Sequence, residues 1–329
     1  MKHGLRRWQL ALMLCVMSSL QTVFAAPVLE AEIARLTAPI GGKVGVAAWQ
    51  LDGKGERIMV NAGERFPMAS TFKIAVAGAI LASVDAGRLQ LDQLVAVQPN
   101  DIVPSDGIAS LAIHPGISLS VHNLLELMLT LSDNTATDVL TRLAGGPQAV
   151  TGWVRKQGVE EQRIDRDTAG ILREFFNLPP GPFNEALQEA VKQDPQLEER
   201  GNHPNAAFDK DVRDTSTPAA MGQLLTKIFN QQALSVSSTK VLIDIMQRCH
   251  TGAGRLPGRM PAGTVIAHKT GTIGGTVNDV GVMTLPDGKS QIVIAVFIKE
   301  SDKPMEQRER VIAEIARSVR DYFLLAGAS

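Results

Sequence analysis

A serine followed three residues later by a lysine is the first pattern in the chain that could perform chemistry. The segment Ser70-Thr71-Phe72-Lys73 has this S-x-x-K spacing, and residues three apart on a helix lie on one face. A serine hydroxyl becomes an effective nucleophile when a neighbouring base accepts its proton, and lysine can be that base when burial and a second cation lower its pKa. Alone the pattern is weak, because Ser237-Ser238-Thr239-Lys240 matches it too, and a helix-capping serine beside a solvated lysine explains either match.

Two later motifs add the groups that an acyl-transfer site needs. Ser132-Asp133-Asn134 interrupts two predicted helices, so its polar groups can project into a cleft, although an Asx turn or a helix cap would use the same residues. Lys269-Thr270-Gly271-Thr272 follows an apolar strand segment and can offer a cation, hydroxyls and a backbone edge to an extended anionic substrate. Gly271 would let that substrate approach closely. The ordered set S-x-x-K, S-D-N and K-T-G is specific, whereas each motif alone is not.

At these motifs the chain resembles the class A serine β-lactamases and the related penicillin-binding DD-peptidases. The resemblance covers nearly all of the chain after residue 25, and His268-Lys269-Thr270-Gly271-Thr272 is most similar to the extended-spectrum branch. Other segments similar to the family are Pro99 to Val103, Ser132 to Thr137, Arg213 to Ala219 and Asn278 to Gly281.

The resemblance implies a role for each motif residue. Ser70 would be the acylated nucleophile, Lys73 its proton acceptor or relay, and Ser132 the donor of a proton to the leaving nitrogen. The remaining residues would hold the substrate: Asn134 its side-chain amide, Lys269, Thr270 and Thr272 its carboxylate, with Gly271 among the binding residues. The backbone N–H groups of Ser70 and Thr272 would form the oxyanion hole. No cofactor or metal is implied.

The loop before Arg213 departs from the family pattern. The family has a glutamate there that activates the water releasing the acyl group, and Arg163-Ile164-Asp165-Arg166 resembles the start of that loop. Asp167-Thr168-Ala169-Gly170 follows instead, without the glutamate or the asparagine. The 46 residues from Asp167 to Val212 exceed what the pattern needs. Asp167 or Glu174 could replace the missing base, but each one singly is better explained as a surface charge.

Three functions remain open from the sequence. The favoured one is a β-lactamase that opens the β-lactam ring of penicillins and cephalosporins through an acyl-enzyme at Ser70. A DD-peptidase or a slowly deacylating penicillin-binding protein, acting on cell-wall peptide, would share the acylation step. A non-catalytic binding module is disfavoured because a pure binder needs no nucleophile.

The first 25 residues resemble a secretory signal peptide. Lys2, Arg6 and Arg7 precede an uncharged apolar stretch, and Val23-Phe24-Ala25 offers a cleavage site. Removing these three positive charges changes the formal net charge from −1 to −4, and nothing in this balance suggests binding to nucleic acid or to an anionic membrane. We expect a periplasmic or secreted monomer with no membrane attachment after processing. Cys15 would leave with the leader, and Cys249 beside His250 does not make a metal site.

The order of predicted elements is strands, many helices and then strands, with helices at both ends. This order predicts an α+β fold: an antiparallel sheet flanked by helices, plus an all-helical lobe, as in the β-lactamase and penicillin-binding transpeptidase family. We expect a helix to begin at Ser70, and irregular structure over residues 101–115 and 165–214. The predicted division after residue 25 is a sheet lobe over about 26–62 and 255–329, a helical lobe over about 63–254, and an enlarged loop over about 163–213.

Overall fold

A computed structural model describes residues 25–112, 114 and 116–326 of the chain. The predicted signal peptide lies outside these residues, apart from Ala25, which begins the first helix. None of the helices in the described part is long and apolar enough to cross a membrane.

The main sheet takes its strands from both ends of the described chain. Its five antiparallel strands run in the order β2-β1-β9-β8-β7, so the first strand pairs along its whole length with the last. Two short ribbons, β3 with β6 and β4 with β5, lie outside it. The strands are β1 (Lys43–Gln50), β2 (Ile58–Val60), β3 (Phe66–Pro67), β4 (Leu94–Ala96), β5 (Ser118–Ser120), β6 (Thr215–Ser216), β7 (Ile266–Ile273), β8 (Thr276–Thr284) and β9 (Gln291–Lys299).

Helices surround this sheet and fill the middle of the sequence. The α-helices are α1 (Ala25–Thr37), α2 (Lys73–Asp85), α3 (Ile108–Leu111), α4 (Val121–Thr130), α5 (Asn134–Leu143), α6 (Pro147–Lys156), α7 (Thr168–Phe175), α8 (Phe183–Gln193), α9 (Leu197–Arg200), α10 (Ala206–Lys210), α11 (Pro218–Phe229), α12 (Val236–Met246) and α13 (Met305–Ala326). Short 3-10 turns are Ala38–Ile40, Ala69–Phe72 and Pro99–Asp101.

The sheet separates two apolar cores. Side chains alternate between the faces of a strand, and on β1 Val44 and Val46 pack towards α1 and α13, whereas Ala47 and Trp49 pack towards the central helices. The same alternation runs along β9. The structure thus confirms the predicted α+β fold, while the proposed lobe boundaries remain a prediction.

The structure corrects two predictions of local structure. The helix predicted to begin at Ser70 begins at Lys73, because Ala69–Phe72 forms a 3-10 turn and the amide of Lys73 donates to the carbonyl of Ser70. The segments predicted to be irregular contain α3 and the four helices α7 to α10. Phe183, Ala186 and Leu197 in that region bury their side chains in a small core of their own.

Candidate active site

Ser70 lies in a tightly held turn between β3 and α2. Ala69, just before it, has a φ of +44°, a left-handed conformation that is costly for a residue with a Cβ. The buried Asn278 of β8 holds this turn, since its amide donates to the carbonyls of Pro67 and Met68 at 2.9 and 3.0 Å. Strained backbone persists where its surroundings enforce it, and here they fix the backbone that carries Ser70.

Gly271 lets the edge strand β7 contact the Ser70 turn directly. A Cβ on this residue would lie 2.5 Å from the Met68 carbonyl oxygen and 3.1 Å from the backbone nitrogen of Ser70. Distances of this kind require a glycine. The glycine was expected to make room for a substrate, but the group that approaches it in the structure is the backbone of the nucleophile turn.

The Ser132 hydroxyl joins the two motif lysines. Lys73 Nζ lies 3.2 Å and Lys269 Nζ 3.0 Å from Ser132 Oγ. Lys73 also donates to the Ser132 carbonyl at 2.7 Å and to Asn134 Oδ1 at 2.9 Å. Ser132 has a φ of +60°, so its backbone too is held in a strained form. The structure therefore brings the three sequence motifs together at one place.

Burial disfavours the positive charge on both lysines, and a neighbouring cation adds to this effect, Lys269 for Lys73 and Arg255 for Lys269. Both side chains are fully buried. Burial, followed by the charge of Lys269, holds the pKa of Lys73 well below its usual range, although Asp138 and Asp133 act in the opposite direction. Burial lowers the pKa of Lys269 to about 8. A neutral amine beside a hydroxyl can accept a proton, which is what activation of a serine requires.

Asp133 positions its two neighbours by capping α5. Its Oδ1 accepts from the amide of Ala136 at 2.6 Å, and its Oδ2 accepts from the amide of Ile108 at 2.7 Å. The amide group of Asn134 donates to the Pro104 carbonyl at 2.9 Å. The S-D-N motif is therefore both a helix cap and part of the site, and its two interpretations from sequence are compatible.

Arg255 is a buried residue of the site that sequence reasoning missed. Its guanidinium donates to Thr272 Oγ1 at 2.8 Å and to the carbonyls of Gly271 and Asn278 at 3.2 and 2.9 Å. Glu309 balances its charge at 3.0 Å. Arg255 lies in a glycine-rich segment before β7, and nothing in that sequence indicates that its side chain contacts Thr272. Thr270, on the same strand, shares a 2.6 Å hydrogen bond with Thr251.

The two acids considered as replacement bases lie in the enlarged loop. Glu174 forms ion pairs with Arg166 and Arg213 near the surface, in agreement with its interpretation as a surface charge. Asp167 caps α7 by accepting from the amide of Gly170 at 2.8 Å. The side chain of Asp138 is buried nearby. Burial, followed by the negative charge of Asp167, raises the pKa of Asp138 to about 7.

The other candidates from the sequence have structural explanations. In the second S-x-x-K match, Ser237 is exposed at the start of α12 and Lys240 pairs with Asp244 on the helix surface. Among the described residues, no cluster of His, Cys, Asp or Glu side chains is arranged to hold a metal ion.

Fold and site together are those of a serine acyl-transfer enzyme, with a nucleophile turn, a lysine beside it, and a motif-bearing edge strand. Comparison with known proteins makes the assignment narrower: the chain belongs to the beta-lactamase enzyme family, whose model matches residues 28–323. The extended-spectrum beta-lactamase PER-1 of Pseudomonas aeruginosa is 31% identical over 321 residues, which are 95% of this chain and 93% of the relative. The beta-lactamase VEB-1 of the same organism is 30% identical over 86% of both chains.

Solved structures agree with this assignment. The TLA-1 extended-spectrum beta-lactamase superimposes with a TM-score of 0.75 at 27% identity, covering 91% of this chain and 99% of the other. An ancestral class A beta-lactamase gives 0.73 at 35% identity, over 89% and 99%. The predicted resemblance to class A serine β-lactamases of the extended-spectrum type is confirmed.

Proposed function

We propose that the protein hydrolyses β-lactam antibiotics through a covalent acyl-enzyme at Ser70. The observation that carries this proposal is the Ser132 hydroxyl, which lies 3.2 and 3.0 Å from the side-chain nitrogens of the two buried lysines, Lys73 and Lys269. The family assignment supports the reaction class, since the relatives PER-1 and VEB-1 are β-lactamases.

The proton path follows from the lysine contacts. In the proposed reaction, Lys73, with its lowered pKa, accepts the Ser70 proton as Oγ attacks the lactam carbonyl. The proton then passes from Lys73 to Ser132 and on to the lactam nitrogen as the ring C–N bond breaks. Ser132 can relay because its oxygen contacts Lys73 and Lys269 at once.

The edge strand β7 provides the proposed substrate contacts. Lys269, Thr270 and Thr272 would bind the substrate carboxylate, with Arg255 holding the Thr272 hydroxyl at 2.8 Å. The backbone N–H groups of Ser70 and Thr272 would stabilise the oxyanion, a contribution worth about 3–4 kcal/mol per donor in related chemistry. Support comes from Gly271, whose contact with the Ser70 turn brings these two segments side by side.

Turnover of a chromogenic cephalosporin tests the proposal. We expect multiple turnovers by the native chain and none above background for Ser70→Ala, because the acyl-enzyme cannot form. Ser237→Ala is the matched control, since this exposed serine of the second S-x-x-K match should be dispensable. Hydrolysis that survives in Ser70→Ala would refute the assignment of the nucleophile.

A slowly deacylating penicillin-binding protein is the second candidate, and the loop favours it. After Asp165 and Arg166 the chain continues into Asp167, which caps α7, and Glu174 is engaged by two arginines. Intact-protein mass spectrometry with benzylpenicillin separates the candidates. Rapid loss of the penicilloyl adduct supports hydrolysis, whereas an adduct that persists for hours supports the binding protein.

Export and the monomeric state are parts of the same proposal. The relatives support an exported enzyme, and the expected location is the periplasm or the medium. The partner is a small-molecule β-lactam, with cell-wall peptide as the substrate of the second candidate.

A further inference from the structure

A second potentially nucleophilic cluster lies beside the acyl-transfer site. His268 is buried on β7, and its Nδ1 contacts both carboxylate oxygens of Asp279 at 2.9 and 3.0 Å. Asp279 is fully buried and is further held by the amide of Leu256 at 3.1 Å. The thiol of Cys249 is partly exposed and lies near the same imidazole ring, whose influence lowers the pKa of the thiol.

The three side chains have the arrangement that activates a thiol. A carboxylate orients an imidazole through Nδ1, and the positive charge of the imidazole stabilises the thiolate form of the neighbouring thiol. Burial works to lower the pKa of His268, but Asp279 and Cys249 outweigh it and raise this pKa to about 10. Burial works to raise the pKa of Cys249, but His268 and Lys269 lower it to about 7. Partly exposed thiols in positive surroundings are the reactive ones.

The thiol is also coupled to two substrate-binding residues. Cys249 Sγ lies 3.3 Å from Thr251 Oγ1, which lies 2.6 Å from Thr270 Oγ1. The charge of the Cys249 thiolate also favours the protonated form of Lys269. A group attached to the sulfur would remove that charge and crowd Thr251, and both changes reach the strand proposed to bind the substrate carboxylate.

We propose that Cys249, activated by His268 and Asp279, is a modification site for small disulfides and that its modification switches off the neighbouring acyl-transfer site. The thiol loses its proton to solvent, the protonated His268 stabilises the resulting thiolate, and the thiolate sulfur attacks one sulfur of the disulfide. A new S–S bond forms to Cys249 while the old one breaks, and the other half leaves as a thiolate. The effect on hydrolysis rests on the proposed β-lactamase function, but the reactivity of the thiol does not.

The pH dependence of thiol modification tests the activation. The purified protein is treated with bis(2-hydroxyethyl) disulfide between pH 5 and 10, and intact-protein mass with peptide mapping gives the rate at Cys249. We expect a midpoint near pH 7. The matched control is the double variant Cys249→Ser/Ser237→Cys, which moves the thiol to the exposed start of α12 and should react with the midpoint of an ordinary thiol, about 8.5.

Activity before and after modification tests the switch. We expect kcat/KM for a cephalosporin to fall at least tenfold in the modified protein and to return on adding dithiothreitol. Cys249→Ser should keep its activity when it is treated with the disulfide. His268→Asn should raise the pH at which the modification of Cys249 is half-maximal. A wild-type midpoint equal to that of the control thiol, or a complete Cys249 adduct with unchanged kcat/KM, overturns the proposal.

Failure of the proposed β-lactamase function can be distinguished from failure of the proposed Cys249 switch. Untreated protein that turns over no β-lactam counts against hydrolysis, and the switch is then measured as the rate of Ser70 acylation by a fluorescent penicillin. Acylation that slows at least tenfold on modification supports the switch, and acylation at an unchanged rate overturns it.

Discussion

At the scale of single residues, the site is defined by two lysines placed against one hydroxyl. Lys73 and Lys269 are both fully buried, and burial lowers the pKa of each by disfavouring its charged form. The two lysines serve different purposes in the proposed reaction. Lys73 has to lose its proton to act as a base, whereas Lys269 has to keep its proton to attract an anionic substrate.

The pKa of Lys269 predicts an alkaline limit to activity. Because this pKa is lowered to about 8, the ammonium is present below that pH and is lost as the pH rises through it. We expect KM for an anionic cephalosporin to rise and kcat/KM to fall above about pH 8. Lys269→Arg keeps its charge throughout, so its profile should stay flat to pH 10 from a lower plateau. The measurement is kcat/KM from pH 6 to 10.

A surface lysine provides the control for this profile. Lys240→Arg changes the same residue type on the exposed face of α12, where Lys240 pairs with Asp244, and should reproduce the wild-type curve. A wild-type kcat/KM that stays level to pH 10 would contradict the assigned role of Lys269.

Residue types could be predicted from the sequence, but many of their contacts could not. Ser70, Lys73, Ser132 and Lys269 belong to ordered motifs, so their chemistry was readable before the structure. Arg255 was not, because its guanidinium meets Thr272 only after the connection before β7 has folded back on the strand. The environment of Cys249 was unexpected for the same reason: the adjacent His250 is exposed, and the imidazole that lowers the pKa of the thiol is that of His268.

At the scale of elements, helix ends position the catalytic groups. Asp133 is fully buried and accepts hydrogen bonds from the amides of Ala136 and Ile108, so it ties the start of α5 to the segment before α3. Ser132 and Asn134 flank it. The positions of Ser132 and Asn134 therefore depend on this helix cap. A substitution of Asp133 should alter the site even though Asp133 is not one of the proposed catalytic residues.

Asp133→Ala tests this dependence. The substitution removes the cap and leaves the buried amide of Ile108 without its acceptor, so we expect a loss of about 2–4 kcal/mol in the free energy of unfolding. The kcat should fall at least tenfold, because Ser132 and Asn134 lose their fixed positions. Urea unfolding and steady-state kinetics measure the two effects.

A variant of another helix cap is the control that distinguishes a loss of stability from a loss of activity. Ser120 caps α4 by accepting from the amide of Asn123 at 3.1 Å near the surface, and Ser120→Ala should cost about 1 kcal/mol while kcat is unchanged. Equal kcat for Asp133→Ala and Ser120→Ala would show that the cap does not position the site.

Prediction of the elements succeeded where periodicity was clear and failed where short helices depend on tertiary contacts. The helix expected at Ser70 is present as the buried helix α2, although it begins at Lys73. The helices α9 and α10 have only four and five residues, too few to be stable alone. Prolines and charges around them look like those of a loop, so their helical form could not be inferred.

At the scale of the whole molecule, the enlarged loop is closed at its base by one buried carboxylate. Asp214 accepts from the amides of Asp165 and Arg166 at 2.7 and 3.0 Å and from Arg166 Nε at 2.5 Å. The loop between these residues holds its own small core, which includes Leu178 and Phe183. The entropic cost of closing a loop grows only slowly with its length, so contacts that hold the base together allow a long insertion without loosening the rest of the fold.

Asp214→Ala should therefore open the loop before the rest of the protein. The substitution leaves the largely buried guanidinium of Arg166 without this partner and removes the acceptor of two amides, and we expect a loss of about 3–5 kcal/mol in the free energy of unfolding. Native-state hydrogen exchange should show the largest loss of protection in α7 and α8, with β9 losing least. Glu174→Gln is the matched control, since Glu174 pairs with the same Arg166 from a side chain that is 45% exposed and should cost under about 1 kcal/mol. Equal losses in the two variants, or protection lost evenly across α8 and β9, would mean that Asp214 does not close the loop.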